Sequence, residues 1–440
     1  MLVAQVVSSH PSALAWALAG VALAGLVTWG YLNFFAGLTR SLRYRLPAPD
    51  ERTSTDHERR EDSMPAVAIV APGRNEADHL PRSLPDLCRQ DYPGDLRVIF
   101  VDDASTDATP AVCRAALRSF PDRLEVVRND VEPPAGWVGK TWAIHRGVRH
   151  LETQLEDADH RTPWLCFTDA DLRWHPQLLR IAMDHAQRHD ADVVAVAPTL
   201  VFGGAWETIV QLQLMVALAA MLPFEKAMDP AHRDIAICGG AFILVRRDTY
   251  DQVGGHEAVK GEIVEDLQLG LTLKRSGATM RIALADELQW CRMYDGVADM
   301  WEGLTKNAYA GLRREPAKAL APLKAGLLLI ATLLLNIAPM PMALGALIWC
   351  VVSPSWIAGV TLAAALLATL LQARALNLTR RLARPIDPQQ PHTLGNKPVP
   401  FRYAWTMPIG SAAYSVIMLA SILHAHTRGN VWKGRAYKTA

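Results

Sequence analysis

The chain has 440 residues, half of them apolar, and its 45 basic residues almost cancel its 44 acidic ones. That length allows two or three domain-sized units, and the near-neutral balance supplies no field for a polyanion, which excludes nucleic acid as the expected partner. Six scattered cysteines without Cys-x-x-Cys spacing suggest neither a zinc site nor a disulfide framework, so a reducing compartment is the simpler inference.

Residues 12–38 carry no charge and exceed the roughly 20 residues a helix needs to cross hydrocarbon. Residues 1–45 therefore read as an amino-terminal transmembrane anchor. A cleaved signal peptide would need a basic start and a shorter apolar run. Arg40, Arg43 and Arg45 come after the run and no Lys or Arg precedes it, which predicts a cytoplasmic location for the next domain and an outward amino terminus. Residues 46–64 are charged and poor in large apolar side chains, as in a solvated linker.

A folded domain is predicted over 65–296. Short apolar strands at 66–71, 96–101, 124–128, 164–168 and 193–197 alternate with helical patterns around 79–90, 108–119, 139–156 and 176–189. This order predicts an α/β domain, a mostly parallel, doubly wound sheet with helices on both faces. Ligands of such sheets bind beyond the carboxyl ends of the strands. The first strand exits into Pro72-Gly73-Arg74-Asn75-Glu76, the second into Asp102-Asp103-Ala104-Ser105-Thr106-Asp107, and the fourth into Asp169-Ala170-Asp171. Carboxylates at the first two exits can accept hydrogen bonds from a nucleobase N–H and ribose hydroxyls, and Arg74 can meet diphosphate charge. The Asp169/Asp171 pair suits Mg²⁺ or Mn²⁺, a hard cation with positions left open for phosphate. Each exit alone also reads as an ordinary turn or helix cap; three acidic exits in strand order argue for one site.

Residues 204–224 start polar and turn strongly apolar, fitting either an interfacial helix or core packing. Gly239 and Gly240 precede a strand, consistent with close backbone approach to a substrate or with a simple turn. Residues 262–275 are acidic at the start, basic at the end and followed by Gly277, the pattern of a helix. Residues 297–323 form an amphipathic interfacial segment in which Trp301, Leu304, Tyr309 and Leu312 mix with Lys306, Arg313 and Arg314; a solvated surface helix is the alternative. Residues 324–424 hold long apolar stretches at 325–352, 355–373 and 404–424, the first kinked or divided by Pro339 and Pro341. Arg380, Arg381, Arg384, Lys397 and Arg402 mark the last loop as cytoplasmic, yet the basic tail at 425–440 carries Arg428, Lys433, Arg435 and Lys438, and one simple crossing cannot place both inside. A re-entrant or interfacial 404–424 would reconcile them.

Pro-x-Arg-Asn-Glu, Val-Asp-Asp-x-Ser-x-Asp and Asp-x-Asp together make residues 65–315 resemble the family 2 glycosyltransferases, which implies a GT-A fold and transfer of a hexosyl group from a nucleotide-diphosphate sugar. The resemblance implies that Pro72, Arg74, Glu76, Asp102, Asp103 and Asp169 line the donor and that Asp171, with Asp169, holds the metal. It extends to Gly136-Trp137-Val138-Gly139-Lys140, implying that Lys140 lies near the donor, and to Glu265-Asp266, similar to the family's catalytic acid motif, with Asp266 as general base of an inverting displacement. Processive polysaccharide synthases carry Gln-x-x-Arg-Trp after that motif; Trp301-Glu302-Gly303-Leu304-Thr305-Lys306-Asn307 departs from it, implying a single transfer to a membrane lipid. The tail Val431-Trp432-Lys433-Gly434-Arg435-Ala436-Tyr437 resembles that of lipid-directed members, which implies a cytoplasmic tail, and the layout is most like the bacterial hopene-associated glycosyltransferases. Gly239, Gly240, Trp301, Lys306, Asn307, Trp432 and Arg435 are then expected on the acceptor side, with a UDP-sugar donor, a hopanoid-related acceptor, and a multi-pass place in the bacterial inner membrane. A polyprenyl-phosphate acceptor is the alternative, and a non-catalytic membrane scaffold the rival from another class.

Overall fold

The computed structural model describes residues 12–34, 43–48, 64–153, 162–221, 223–310, 320–386, 397–427, 430–432 and 435–437. Residues 49–63 of the linker, Leu312, Arg313, Arg314, Arg428, Lys433 and Lys438 lie outside them. Two compact units emerge: one comprises Leu42–Val201 and Leu222–Arg292, the other Met1–Ser41, Phe202–Met221 and Met293–Ala440. The helix Ala205–Met221 thus groups with the apolar helices, although in sequence it lies between the two segments of the first unit.

The first unit is built on strands β1 (Val67–Gly73), β2 (Leu96–Asp102), β3 (Leu124–Arg128), β4 (Trp164–Phe167), β5 (Arg173–Trp174), β6 (Val193–Ala197), β7 (Thr199–Phe202), β8 (Ile243–Arg246), β9 (Met280–Leu284) and β10 (Gln289–Cys291). Seven of them form one sheet in the order β3-β2-β1-β4-β8-β6-β9. Alternation along β1 sends Val67, Ile69 and Ala71 into one core and Ala68 and Val70 into the other, as a sheet covered on both faces requires. The sheet is parallel except at β8, which runs antiparallel between β4 and β6. β10 pairs antiparallel with β5 and parallel with β7.

Register sets the site. Gly73 pairs with Asp102 and Val70 with Phe167, so the first, second and fourth strands end at one edge. Because β8 is reversed, its first residue, Ile243, pairs with Phe167, the last of β4, which brings the preceding Gly239 and Gly240 to the same edge. The helix Gly139–Thr153 lies close on the sheet because Gly147 has no side chain: a Cβ there would stand 2.7 Å from Val70 Cγ1 and 2.9 Å from Val101 Cγ2. Likewise Gly270 lets the helix Glu265–Ser276 seat against Cys238, and Gly277, at φ 101°, terminates that helix as its sequence predicts.

In the second unit, the helices Ala13–Phe34, Trp356–Thr379 and Met407–Thr427 each contain a stretch long and apolar enough to cross a membrane, and the pair Ala321–Ile337 and Pro339–Val352 passes the same test together, bent by 48°. Small residues line the contacts: Ala22, Ala343, Ala364 and Ala365 pack together, and Gly25 faces Pro339 and Ala368. The bend follows a π-helical turn, Thr332–Ile337. Pro339 has no N–H for the Leu335 carbonyl, and that oxygen instead accepts from Trp29 Nε1 at 2.9 Å and Gln372 Nε2 at 2.8 Å. Asn430–Trp432 and Arg435–Tyr437 form a short antiparallel hairpin within the predicted tail.

Candidate active site

The exits of β1 and β2 are stitched into one rim. Asp103 N–H donates to Gly73 O, Arg74 Nη1 to Asp103 O, Asn75 N–H to Ser105 Oγ, Thr106 N–H to Asn75 Oδ1, and Glu76 N–H to Thr109 Oγ1, all within 2.8–3.0 Å. Asn75 and Ala104 adopt left-handed backbone at φ 56° and 53°, a conformation that costs an alanine energy and persists where surrounding bonds over-determine it. Asp102 is buried with Oδ1 accepting from Ser105 N–H at 3.0 Å, so its carboxylate shapes the loop. Asp103 is also buried, and its Oδ1 accepts from Asn129 Nδ2 at the exit of β3. Pro72 is buried within β1 itself.

A lysine joins the remaining acids. Lys140, in the first turn of its helix, lies 2.6 Å from Asp169 Oδ1 and 2.7 Å from Glu265 Oε1. The neighbouring Asp266 is fixed through both oxygens, Oδ2 accepting from Gly240 N–H at 2.6 Å and Oδ1 from Leu267 N–H at 2.7 Å. A Cβ on Gly240 would meet Lys140 Nζ at 2.8 Å and Asp169 Oδ2 at 3.0 Å, whereas one on Gly239 would meet nothing within 4 Å. The close backbone approach expected of this glycine pair therefore belongs to Gly240, toward the salt-bridged groups.

Charge in the cluster is unbalanced. Burial, then the nearby carboxylates of Asp169 and Glu76, push the Asp171 carboxyl up to about 6, with His79 opposing. Burial raises the Glu265 carboxyl, Lys140 opposing and Asp266 adding to the rise. Burial works against the Lys140 ammonium, yet Asp169, Glu265 and Asp266 outweigh it and hold that group well above its ordinary value. Three carboxylates, Asp169, Glu265 and Asp266, act on one ammonium, and Asp171 adds charge beside Asp169, an excess that would repel a diphosphate unless a cation intervened. Among the described residues no group of three or more His, Cys, Asp or Glu forms a ready-made cage. Two hard carboxylates still fit Mg²⁺ or Mn²⁺, which commonly take one or two protein carboxylates and complete their shell from phosphate and water.

A cavity of about 330 Å³ opens beside Asp103, lined by Arg128, Asn129, Asp130, Val131, Trp142 and Arg146. Arg146 lies over the Trp142 ring at 5.9 Å. The sequence reading did not single out Asn129, Trp142 or Arg146; the strand-exit rule applied to the third strand points to Asn129. Of the expected acceptor-side residues, Gly240 touches the acid cluster. Trp301 is 40% exposed on the helix Val297–Ala310, which also contains Lys306 and Asn307, and Trp432 and Arg435 belong to the hairpin. The side chains of these last four lie outside the described residues.

Residues 68–254 match the sequence model of glycosyl transferase family 2. The 4,4'-diaponeurosporenoate glycosyltransferase of Staphylococcus aureus strain MRSA252 is 23% identical over 259 residues, 58% of this chain and 64% of that protein. That of strain USA300 is 23% identical over 249 residues, 56% and 61% of the two chains. The chain thus spans a little under two thirds of the length of these curated relatives. Among solved structures, the mannosyltransferase PcManGT from Pyrobaculum calidifontis, in complex with GDP-Man and Mn²⁺, is similar with a TM-score of 0.50 and 17% identity over 93% of this chain and 99% of that one. The sheet is a GT-A-like mixed α/β fold, and residues 68–254 are similar to glycosyl transferase family 2.

Proposed function

We propose that this chain acts as a family 2 glycosyltransferase, transferring a sugar from a nucleotide-diphosphate donor, a UDP-sugar, to a membrane lipid with inversion of configuration. The observation that carries the reading is the Lys140 bridge between Asp169 and Glu265, which ties an acidic strand exit to the helix bearing Asp266. Glu76, Asp103 and Arg74 line the nucleoside side, and the Arg128–Arg146 cavity extends it beyond Asp103.

In the proposed reaction, an acceptor hydroxyl gives its proton to Asp266 as its oxygen bonds to the anomeric carbon. The bond from that carbon to the phosphate oxygen breaks, and the electron pair leaves with the nucleoside diphosphate. Attack on the face opposite the leaving group inverts the centre. The N–H groups of Gly240 and Leu267 hold the Asp266 carboxylate in one orientation, so no rotamer search precedes proton transfer. Lys140 supplies fixed positive charge beside Asp169. Asp171 and Asp169 would hold the divalent cation, which when bound supplies Lewis-acid neutralisation of the departing phosphate.

Long apolar helices in the same chain support a lipid acceptor in a multi-pass bacterial inner-membrane protein, with the catalytic domain in the cytoplasm. The overall layout favours a hopanoid-related alcohol. The relatives' name favours a second reading, a carotenoid-like acid, whose carboxylate is already ionised at neutral pH and needs no base. Transfer of radiolabel from nucleotide sugar into extracted lipids by the full chain tests the activity, and mass spectrometry of lipids from cells with and without the gene identifies the acceptor. Asp266→Asn is expected to lower turnover with an alcohol acceptor ~10²–10⁴-fold while UDP binding by calorimetry persists. Near-normal turnover in that variant would remove Asp266 from the role.

A further inference from the structure

The helix Trp356–Thr379 ends in a concentration of cations that glycosyl transfer does not use. From residue 356 to 427 the chain has six Lys or Arg, namely Arg374, Arg380, Arg381, Arg384, Lys397 and Arg402, and a single acid, Asp387. Arg374 precedes the helix end by five residues and its side chain is exposed, although the rest of that helix is long and apolar enough to cross a membrane. It is anchored from the neighbouring helix: Arg374 Nη1 donates to Asn33 Oδ1 at 2.8 Å, and Asn33, fully buried, donates in turn to the carbonyls of Trp29 and Leu371. Arg374 and Arg381 are both exposed, the second in the 3-10 turn Arg380–Leu382 that directly follows the helix.

A second segment completes the collar. Arg380 acts as a strut, its Nε donating to Asn377 Oδ1 at 2.8 Å and its Nη1 to Val399 O at 2.6 Å, with the Phe401 ring 5.4 Å beneath the guanidinium. The 3-10 helix Phe401–Trp405 presents Phe401 and Trp405 at 55% and 42% exposure, and Arg402 stacks over Tyr403 at 5.2 Å. Exposed aromatics beside guanidinium groups at the end of an apolar helix match the headgroup level of a bilayer, where the rings sit among glycerol and carbonyl groups and the cations meet phosphate. A guanidinium fork pairs with phosphate oxygens in bidentate fashion.

We infer that this collar, Arg374, Arg381 and Arg402 with Phe401 and Trp405, is a binding site for the headgroup of an anionic phospholipid. It stands independently of the proposed glycosyl transfer. The full chain in nanodiscs of mixed phosphatidylcholine and phosphatidylglycerol should retain phosphatidylglycerol preferentially, read by native mass spectrometry after removal of the disc. The triple variant Arg374→Gln, Arg381→Gln, Arg402→Gln should lose that enrichment by about tenfold. A control that removes equal charge from the other unit, Arg114→Gln, Arg118→Gln, Arg275→Gln, should keep it. Equal retention by wild type and collar variant, or equal loss in the control, would overturn the site, and displacement of the lipid by inorganic phosphate would assign it to a free anion instead. Should the collar variant fail to fold, the wild type decides: enrichment that falls steeply with added salt supports the site, and salt-independent enrichment overturns it.

Discussion

Gly240 shows how little room the acid cluster leaves. A methyl there would stand within 3.0 Å of both Lys140 Nζ and Asp169 Oδ2, groups already locked in a salt bridge, so Gly240→Ala should separate them. We expect it to weaken nucleotide-sugar binding by about 2–5-fold by calorimetry, since a partly exposed charge pair of this kind is worth up to about 1 kcal/mol. Gly239→Ala, whose methyl meets nothing, should bind normally, and equal effects of the two substitutions would refute the argument. Asp171 gives a second prediction, from its pKa of about 6 against an ordinary 3.8. Between those values the folded protein keeps a proton that the unfolded chain has lost, so without divalent cation its stability should fall as pH rises from about 4 through about 6. A cation that binds the ionised pair reverses this, and Mn²⁺ should raise the melting temperature at pH 7.5 but not at pH 5. Asp171→Asn should melt higher than wild type at pH 7.5 without cation and gain nothing from Mn²⁺. A variant that melts lower, or still responds to Mn²⁺, would show that the cation does not act through this carboxylate.

The helix Gly139–Thr153 is the element that carries Lys140 to the acids, and its seat on the sheet depends on Gly147. Gly147→Ala places a methyl 2.7 Å from Val70 Cγ1, so the helix must lift, with an expected loss of about 1–3 kcal/mol in chemical denaturation and a parallel loss of donor binding. Unchanged stability would mean that the helix tolerates more distance than its packing implies. Elements of this kind were readable in advance where the signal is local. The strands at 96–101, 124–128 and 193–197 and the helix after Gly139 derive from apolar runs between turn residues, and a parallel sheet turns such runs into strand exits on one edge. The features that were not readable depend on partners distant in sequence. The reversal of β8, which alone explains why Gly240 meets Asp169, is fixed by its pairing with β4 and β6. β9, Met-Arg-Ile-Ala-Leu, is too short and mixed to declare itself, and the Trp142 and Arg146 cavity arises only when a helix face meets the exit of β3. Pro339 and Pro341 announced a kink, but the side chains that satisfy the freed carbonyl, Trp29 and Gln372, come from two other helices.

At the scale of the whole molecule, the charges pose a question that composition leaves open. If the bent pair 321–352 crosses once and the helix Trp356–Thr379 returns, the collar after it is cytoplasmic; a full crossing by Met407–Thr427 would then strand the basic tail outside. We propose instead an interfacial course for that last helix. Its Ile417 is buried with Val210, Tyr294, Met300 and Leu304, and Gly410 is pressed against the Ile209 carbonyl, so it runs beside the helices Ala205–Met221 and Val297–Ala310 that flank Leu222–Arg292 in sequence. Met418 meets Ala321 and Ala325, and Tyr414, Ile422 and Leu329 join the same cluster, while the helix also packs against the π turn Thr332–Ile337. A helix that lies along the interface can be apolar enough to cross and still return its end to the side it started from. With cysteines introduced as Arg381→Cys and Lys438→Cys in a background freed of the native six, an impermeant maleimide added to intact cells should label neither, and a permeant one should label both. Labelling of position 438 alone from outside would make Met407–Thr427 a true span and leave the tail's four cations on the outer face, against the bias that orients the rest of the chain.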